Sequence, residues 1–188
     1  MDIEIDLSKV IIETERLILR AFEERDIDDF YEYARVPGVG EMAGWPHHKT
    51  IEESKVILNI FVNGKDVLAV VFKDTGKVIG SIGLHNSWAN EESEYQTFKI
   101  KEIGYVLSKD YWGKGLMPEA AAALIDYCFT VLNLDMLTCG HFESNMQSRR
   151  VIEKSGFTLK KRSEYRAEQL STTFSDLKYV LNNPRVKQ

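Results

Sequence analysis

Apolar and polar positions follow two rhythms along the chain. The first half is dominated by two-residue alternation, as in Arg16-Leu17-Ile18-Leu19-Arg20, which predicts a strand. Asp66 to Phe72 and Val78 to Leu84 predict two more, joined through Asp74-Thr75-Gly76-Lys77, a hairpin connection with Gly at a turn position. Lys101 to Leu107 predicts a further strand after the polar stretch from Ser87 to Thr97. Two helices interrupt this run. Asp26 is an N-cap candidate for a helix from Ile27 to Ala34, with Phe30 and Ala34 four apart. Thr50 followed by Glu53 forms a capping-box pattern for a second, from Ile51 to near Val62. Pro37, Gly38, Gly40, Gly44 and Pro46 mark the loop between them.

The second half changes period. From Pro118 to Leu132, Ala121, Leu124, Ile125, Cys128, Phe129 and Leu132 share one helical face, and Pro118 suits the first turn, where its missing N–H costs nothing. Met136 to Phe142 predicts a buried strand, and Asn145 caps a helix ending at Gly156. Thr158 to Arg162 and Phe174 to Leu181 are the last predicted strands. Strands first, then strand–helix–strand–helix–strand, predict an α/β fold (an α+β mixed sheet) with helices on both faces and a single domain over residues 1–188. Ligands of such sheets bind at C-terminal strand ends where strand order switches, which selects the crossover after Leu107.

Composition narrows the class. With 44% hydrophobic and 28% charged residues, the chain matches ordinary globular proteins. No apolar run approaches the roughly 18 residues of a membrane span, and the acidic start Met1-Asp2-Ile3-Glu4-Ile5-Asp6 lacks the basic region of a signal peptide. The expectation is a cytoplasmic protein without membrane association. A net charge of −5 disfavours general nucleic-acid binding, which depends on neutralising phosphates, and suits a cationic substrate. Cys128 falls on an apolar helix face. Cys139 and His141 share a strand face without a third ligand nearby, so no metal is expected.

The crossover reads Ser108-Lys109-Asp110-Tyr111-Trp112-Gly113-Lys114-Gly115-Leu116-Met117. Two glycines let the backbone turn tightly, and a helix start presents free N–H groups and a favourable dipole to an anion. Lys109 and Lys114 add positive charge. The pattern is not a P-loop: no Gly lies five residues before Gly113, and no Ser or Thr follows Lys114. Taken alone, Gly-Lys-Gly is equally compatible with a connection that binds nothing.

The surrounding residues resemble the GCN5-related N-acetyltransferase (GNAT) superfamily, and within it the RimJ/RimL group of protein N-terminal acetyltransferases. The similarity runs from about residue 12 to 181. It is carried by Glu13-Thr14-Glu15-Arg16-Leu17-Ile18-Leu19-Arg20, Gly80 and Gly83, Glu102-Ile103-Gly104-Tyr105-Val106-Leu107, Tyr111-Trp112-Gly113-Lys114-Gly115-Leu116-Met117-Pro118-Glu119-Ala120, Asn145 and Ser148, Gly156-Phe157, and Asp176 to Leu181. Two positions depart from the superfamily turn. Trp112 stands where Gln or Arg is usual, and Met117 replaces a small residue. Glu119 would repel a pyrophosphate if aimed at it, so its side chain is expected to point away.

The resemblance implies a mostly antiparallel sheet with splayed central parallel strands, the coenzyme A pantetheine lying in the gap. It implies acetyl-CoA as cosubstrate, no metal, and direct attack by an amine in a ternary complex. The acceptor would be a ribosomal or other protein N-terminus or a small amine; monomer and homodimer are both compatible. Trp112, Gly113, Lys114, Gly115, Leu116, Met117 and Asn145 would hold the coenzyme, with a backbone N–H of Val106 or Leu107 as oxyanion donor. Glu102 is the first candidate base, since alternation sets it opposite Ile103 and Tyr105, and Glu164 the second. Ser148 is the candidate at the sulfur, because Ile152 stands where many superfamily members carry a tyrosine acid. Trp45 and His47 would stand on the acceptor side, with His47 or His48 a further candidate base. The alternative is a non-catalytic acyl-CoA-binding or sensor protein of the same fold.

Overall fold

The structure is a computed structural model and describes residues 3–186. Eight strands form one sheet: β1 (Ile11–Glu13), β2 (Leu17–Ala21), β3 (Val67–Phe72), β4 (Val78–His85), β5 (Ile100–Leu107), β6 (Met136–Phe142), β7 (Thr158–Ala167) and β8 (Thr172–Asn182). Their spatial order is β1-β2-β3-β4-β5-β6-β8-β7. Four helices accompany them: α1 (Ile27–Ala34), α2 (Ile51–Gly64), α3 (Leu116–Thr130) and α4 (Met146–Lys154).

Side-chain alternation divides the core between the two faces of the sheet. Leu68 and Val70 of β3 join Leu17, Leu19, Ile103 and Leu107 under Leu116, Ala120, Leu124 and Cys128 of α3 and Ile152 of α4. Val67, Ala69 and Val71 face the other way, against Phe30, Tyr33 and Ala34 of α1 and Leu58 of α2. Because helices cover both sides, β3 reads as an uninterrupted apolar run rather than a strict alternation.

The feature that positions the site is a split in the middle of the sheet. Neighbouring strands are antiparallel except β5 and β6, which pair in parallel only at Ile100↔Met136, Lys101↔Leu137 and Glu102↔Thr138. Beyond that point β5 stays with β4 as far as Gly80↔Leu107, and β6 stays with β8 as far as Phe142↔Asp176. Residues Ile103–Leu107 and Cys139–Phe142 therefore border an open wedge, the splay that the family resemblance implies.

Several local expectations change. Asp26 does not cap α1. Its carboxylate accepts from Arg20 at 2.7 and 2.8 Å and from Glu23 N–H at 2.9 Å, while residues Glu24–Asp26 form a 3-10 turn. Thr50 does cap α2, accepting from Glu53 N–H at 3.3 Å. Helix α3 begins at Leu116, two residues ahead of Pro118. β7 runs to Ala167 and β8 starts at Thr172, a hairpin longer than the sequence pattern indicates, because much of β7 is solvent-exposed and carries no apolar alternation. β1 is a three-residue edge strand whose outer residues are exposed, and it left no periodic signal.

Candidate active site

The turn between β5 and α3 is built as its glycines require. Gly113 and Gly115 have φ of +75° and +76°, in the left-handed region where a Cβ is unfavourable. A Cβ on Gly113 would meet nothing within 4 Å, so backbone conformation rather than crowding calls for glycine there. Trp112 closes the turn, its indole Nε1 donating to Leu107 O at 2.8 Å. This is a structural use for the aromatic that replaces the superfamily's usual Gln or Arg.

Glu119 turns away from the mouth of the loop. It accepts from Thr14 Oγ1 at 2.6 Å, Arg16 N–H at 2.9 Å and Arg16 Nε at 2.7 Å, and Arg16 also donates to Lys114 O at 3.0 Å. Burial pushes this carboxyl upward, but the Thr14 and Arg16 hydrogen bonds prevail and hold it below its ordinary range. The Thr14-Glu15-Arg16 segment before β2 is thus the anchor of a turn about 100 residues away in sequence.

A cleft of about 380 Å³ opens above this turn. Its walls include Trp112, Gly113, Gly115, Leu116 and Met117 from the turn, Val106 and Leu107 from β5, and Asn145 and Ser148 from α4. Lys114 lies outside it, with Nζ 5.0 Å from the Tyr111 ring centroid. Lys109 donates to Pro37 O and sits over the Trp112 ring. The cations that do line the cleft are Arg150 and Lys154. Their four-residue spacing on α4, which sets both on one helical face, is the sequence signal for them.

A second cleft, of about 1030 Å³, lies on the α1/α2 side and is lined by Trp45, His47, His48, Phe61, Phe142, Tyr165, Asp176 and Lys178 among others. The two clefts share Met42, Ala43, Glu102, Gly104, Tyr105, Val106, Gly140 and His141. They meet at the wedge between β5 and β6.

Glu102 sits at that junction. Thr138 Oγ1 donates to its Oε2 at 3.1 Å, and Thr138 in turn meets the buried Ser87 hydroxyl at 2.7 Å. Lys178 Nζ is 3.9 Å from Glu102 but 2.8 Å from Asp176, its closer partner. Burial raises the Glu102 carboxyl above its ordinary range, against the opposing pull of Lys178 and Thr138. A half-buried carboxylate of raised basicity, bordering both clefts, is equipped to take a proton.

On the opposite face of β5, the Tyr105 hydroxyl lies 2.8 Å from Ser148 Oγ and 3.2 Å from Ser148 O. Asn145 accepts from Ser148 N–H at 3.1 Å as the α4 cap and donates to Met42 O at 3.2 Å, so it also ties down the loop over the junction. In that loop, Glu41 binds His47 Nδ1 at 2.8 Å and Gly38 N–H at 2.6 Å. His48 is buried against Ser54 Oγ at 2.7 Å, and burial lowers its basicity.

Two expectations need correction. Ser108 N–H donates to Ile79 O, so the alternation of the β4–β5 ladder turns Val106 N–H toward β4 as well and leaves Leu107 N–H facing the wedge. Of the two oxyanion candidates, the Leu107 N–H faces the wedge and the Val106 N–H does not. Glu164 is exposed on β7 and lines neither cleft, whereas its neighbour Tyr165 lines the larger one. The two-residue period of the strand separates them. His141, paired with Cys139 in the sequence, has Nδ1 on Phe142 O at 2.8 Å and Nε2 on the Tyr179 hydroxyl at 3.1 Å.

Comparison with known proteins places this geometry. The acetyltransferase (GNAT) domain family matches residues 16–158. An uncharacterized N-acetyltransferase of Bacillus licheniformis, p20, is 30% identical over 149 residues, covering 77% of this chain and 80% of the relative. Among solved structures, a GNAT-family acetyltransferase from Bacillus anthracis superposes with a TM-score of 0.80 at 24% identity, covering 93% of this chain and 99% of that one. A ribosomal-protein-S5-alanine acetyltransferase from Vibrio fischeri superposes with a TM-score of 0.69 at 20% identity, covering 96% and 100%. With the family model matched over residues 16–158 and the wedge, turn and clefts in place, the chain belongs to the GNAT acetyltransferases.

Proposed function

We propose that this protein transfers an acetyl group from acetyl-CoA to a primary amine by direct attack within a ternary complex. One observation carries the reading: two clefts on opposite faces of the sheet meet at the β5–β6 wedge, and Glu102 borders both. In this reading the smaller cleft takes the coenzyme. Backbone N–H groups at the start of α3 receive its pyrophosphate, and Arg150 and Lys154 supply the cationic side chains. The larger cleft takes the amine between Trp45, His47 and the aromatic wall of Phe142 and Tyr165. Glu102 removes the proton from the attacking nitrogen, and Leu107 N–H stabilises the developing oxyanion.

The acceptor we favour is a protein α-amino group. Its pKa is about 7.7–8.0, so neutralising it at pH 7 costs about 1 kcal/mol; a lysine-like amine near 10.4 costs nearly 5 kcal/mol. A single carboxylate held by Thr138 and Lys178 is matched to the smaller demand.

The test is a turnover screen with acetyl-CoA over N-terminal peptides and small amines, reading thiol release. Glu102→Gln should lower kcat by about a hundredfold or more while acetyl-CoA still stabilises the protein in a thermal-shift titration. If no amine is acetylated although acetyl-CoA binds, the protein is instead a coenzyme-binding sensor of the same fold.

A further inference from the structure

Glycine inside a strand needs a reason, because it leaves a gap in side-chain packing and costs backbone entropy on folding. On β4 the reason is crowding. A Cβ on Gly80 would collide with the main-chain oxygen of Val106, and one on Gly83 would stand 2.8 Å from that of Asp66. Gly104 on β5 and Gly140 on β6 have no such cause. Neither adopts a positive φ. A Cβ on Gly140 would meet nothing closer than 3.4 Å, an ordinary contact. One on Gly104 would meet only the tip of the His85 ring, at 2.9 and 3.0 Å, and that side chain is 46% exposed, with solvent to swing into.

The two positions face each other. β5 and β6 last pair at Glu102↔Thr138, in parallel, and Gly104 and Gly140 each lie two residues further on, where the strands have parted. A two-residue step keeps both on the face of Glu102 and Thr138, toward the larger cleft. Both glycines line both clefts. Along β6 every other residue is buried and Gly140 is not. We propose that Gly104 and Gly140 are the two lips of the aperture through which the acceptor nitrogen reaches the thioester, and that they select the acceptor by the bulk on the carbon bearing the amine. The assignment rests on the acetyl-transfer reading above and adds to it what the site admits.

The reason lies in the geometry of attack. A nitrogen has to approach the carbonyl carbon to about 3–3.5 Å before the bond forms, so the carbon attached to that nitrogen enters the aperture with it. An unbranched carbon brings only hydrogens between the two glycines. A branched one has a further group to place against bare main chain. The surroundings resist widening. Thr138 and Glu102, hydrogen-bonded at 3.1 Å, close one end of the gap. Asp176 Oδ1 and Lys178 Cδ stand 3.4 and 3.5 Å from the Cβ position of Gly140, and Asp176 holds Lys178 Nζ at 2.8 Å. The class admitted is therefore an amine on an unbranched or lightly branched carbon, such as the α-amino group of a first residue with a small side chain.

Gly140→Ala tests the aperture by adding one methyl group to one lip. Because the backbone there suits alanine, the variant should melt no lower than wild type, and acetyl-CoA should raise its Tm by the same amount. Kinetics are read with peptides beginning in glycine, alanine or valine, and with 2-phenylethylamine against its α-methyl homologue. In the wild type kcat/KM should fall from glycine to valine. In Gly140→Ala the glycine peptide should stay within about threefold of wild type. The valine peptide and the α-methyl amine should each lose about tenfold more than their unbranched partners, as for one methyl group in a tight pocket. Gly104→Ala, made together with His85→Ala to remove the clash, should do the same from the facing strand. An unchanged ratio in either folded variant, or an equal loss for branched and unbranched acceptors, overturns the aperture and leaves acetyl transfer standing. If the wild type releases thiol with none of these amines, the acetyl-transfer reading and the aperture fall together.

Discussion

The two clefts that meet at the wedge are held open by different means. On the side proposed for the coenzyme the turn is fastened through backbone atoms: Trp112 to Leu107 O, Arg16 to Lys114 O, and Glu119 to Arg16 N–H. Its side chains are largely committed to these fastenings or, like Lys114, lie outside the cleft. What remains to meet a ligand's anionic groups is main chain, together with Arg150 and Lys154. On the acceptor side the walls are side chains on loops and strand faces, including Trp45, His47, Phe142 and Tyr165, and the volume is almost three times larger. A site of backbone N–H groups tolerates substitution of the side chains around it and recognises a constant ligand. A site of loop side chains is free to vary with its substrate. On the proposed assignment of the clefts, the contrast explains why the sequence points to a coenzyme and not to a particular amine.

The contrast is most severely tested at Glu119. Glu119→Ala removes the acceptor for Thr14 Oγ1, Arg16 N–H and the Arg16 guanidinium. With Arg16 41% exposed, the ion pair itself counts for little, and the loss should be about 2 kcal/mol from the orphaned hydrogen bonds. That corresponds to a Tm decrease of about 4–8 °C at this chain length. The KM for acetyl-CoA should rise, with that for the amine unchanged. The sign with pH follows from the depressed folded pKa of Glu119. Its contribution is present above the unfolded value near 4.3 and is lost as pH falls through the lower folded value, so wild-type and variant Tm should converge in acid.

The opposite pattern is expected at Trp45. Trp45→Ala strips an aromatic from the acceptor wall, where it packs at 5.1 Å from the His48 ring. Loss of such a contact is worth about 1–2 kcal/mol, or roughly a tenfold rise in KM for the amine. Steady-state kinetics should show the acetyl-CoA KM unmoved. A matching rise in both constants would mean that the clefts are not separable.

A smaller effect refines the junction. Thr138→Val deletes the hydrogen bond that favours ionised Glu102. At about 1 kcal/mol for such a bond, the acidic limb of kcat/KM against pH should move upward by roughly 0.7 unit. A variant with an unmoved limb would separate the titrating base from Glu102.

Much of the architecture was legible because it is periodic. The apolar stripe from Ala121 to Leu132 and the run Met136 to Phe142 became α3 and β6 with little change of boundary. The β7–β8 hairpin was only half seen, since Lys160 to Arg166 project polar side chains on an exposed ribbon and give no hydrophobic alternation. Asp26 looked like a cap because its type suits one, but Arg20, on a strand the sequence does not place beside it, captured the carboxylate.

For the turn from Trp112 to Met117, the sequence by itself determined a helix start, two residues able to adopt positive φ and an anion-facing row of N–H groups, because these depend on local backbone sterics. It also set Glu102 and Tyr105 on opposite faces of β5, because strand alternation is a local rule. Only the tertiary structure decided that Arg16 and Glu119 fasten the turn, that Ser148 meets Tyr105, that Glu164 lines neither cleft and that Arg150 and Lys154 line the smaller one. These pairings join segments tens of residues apart. They depend on where β5 and β6 part after Glu102 and Thr138, and that parting is set by the competing registers of β4 and β8 rather than by any stretch of sequence.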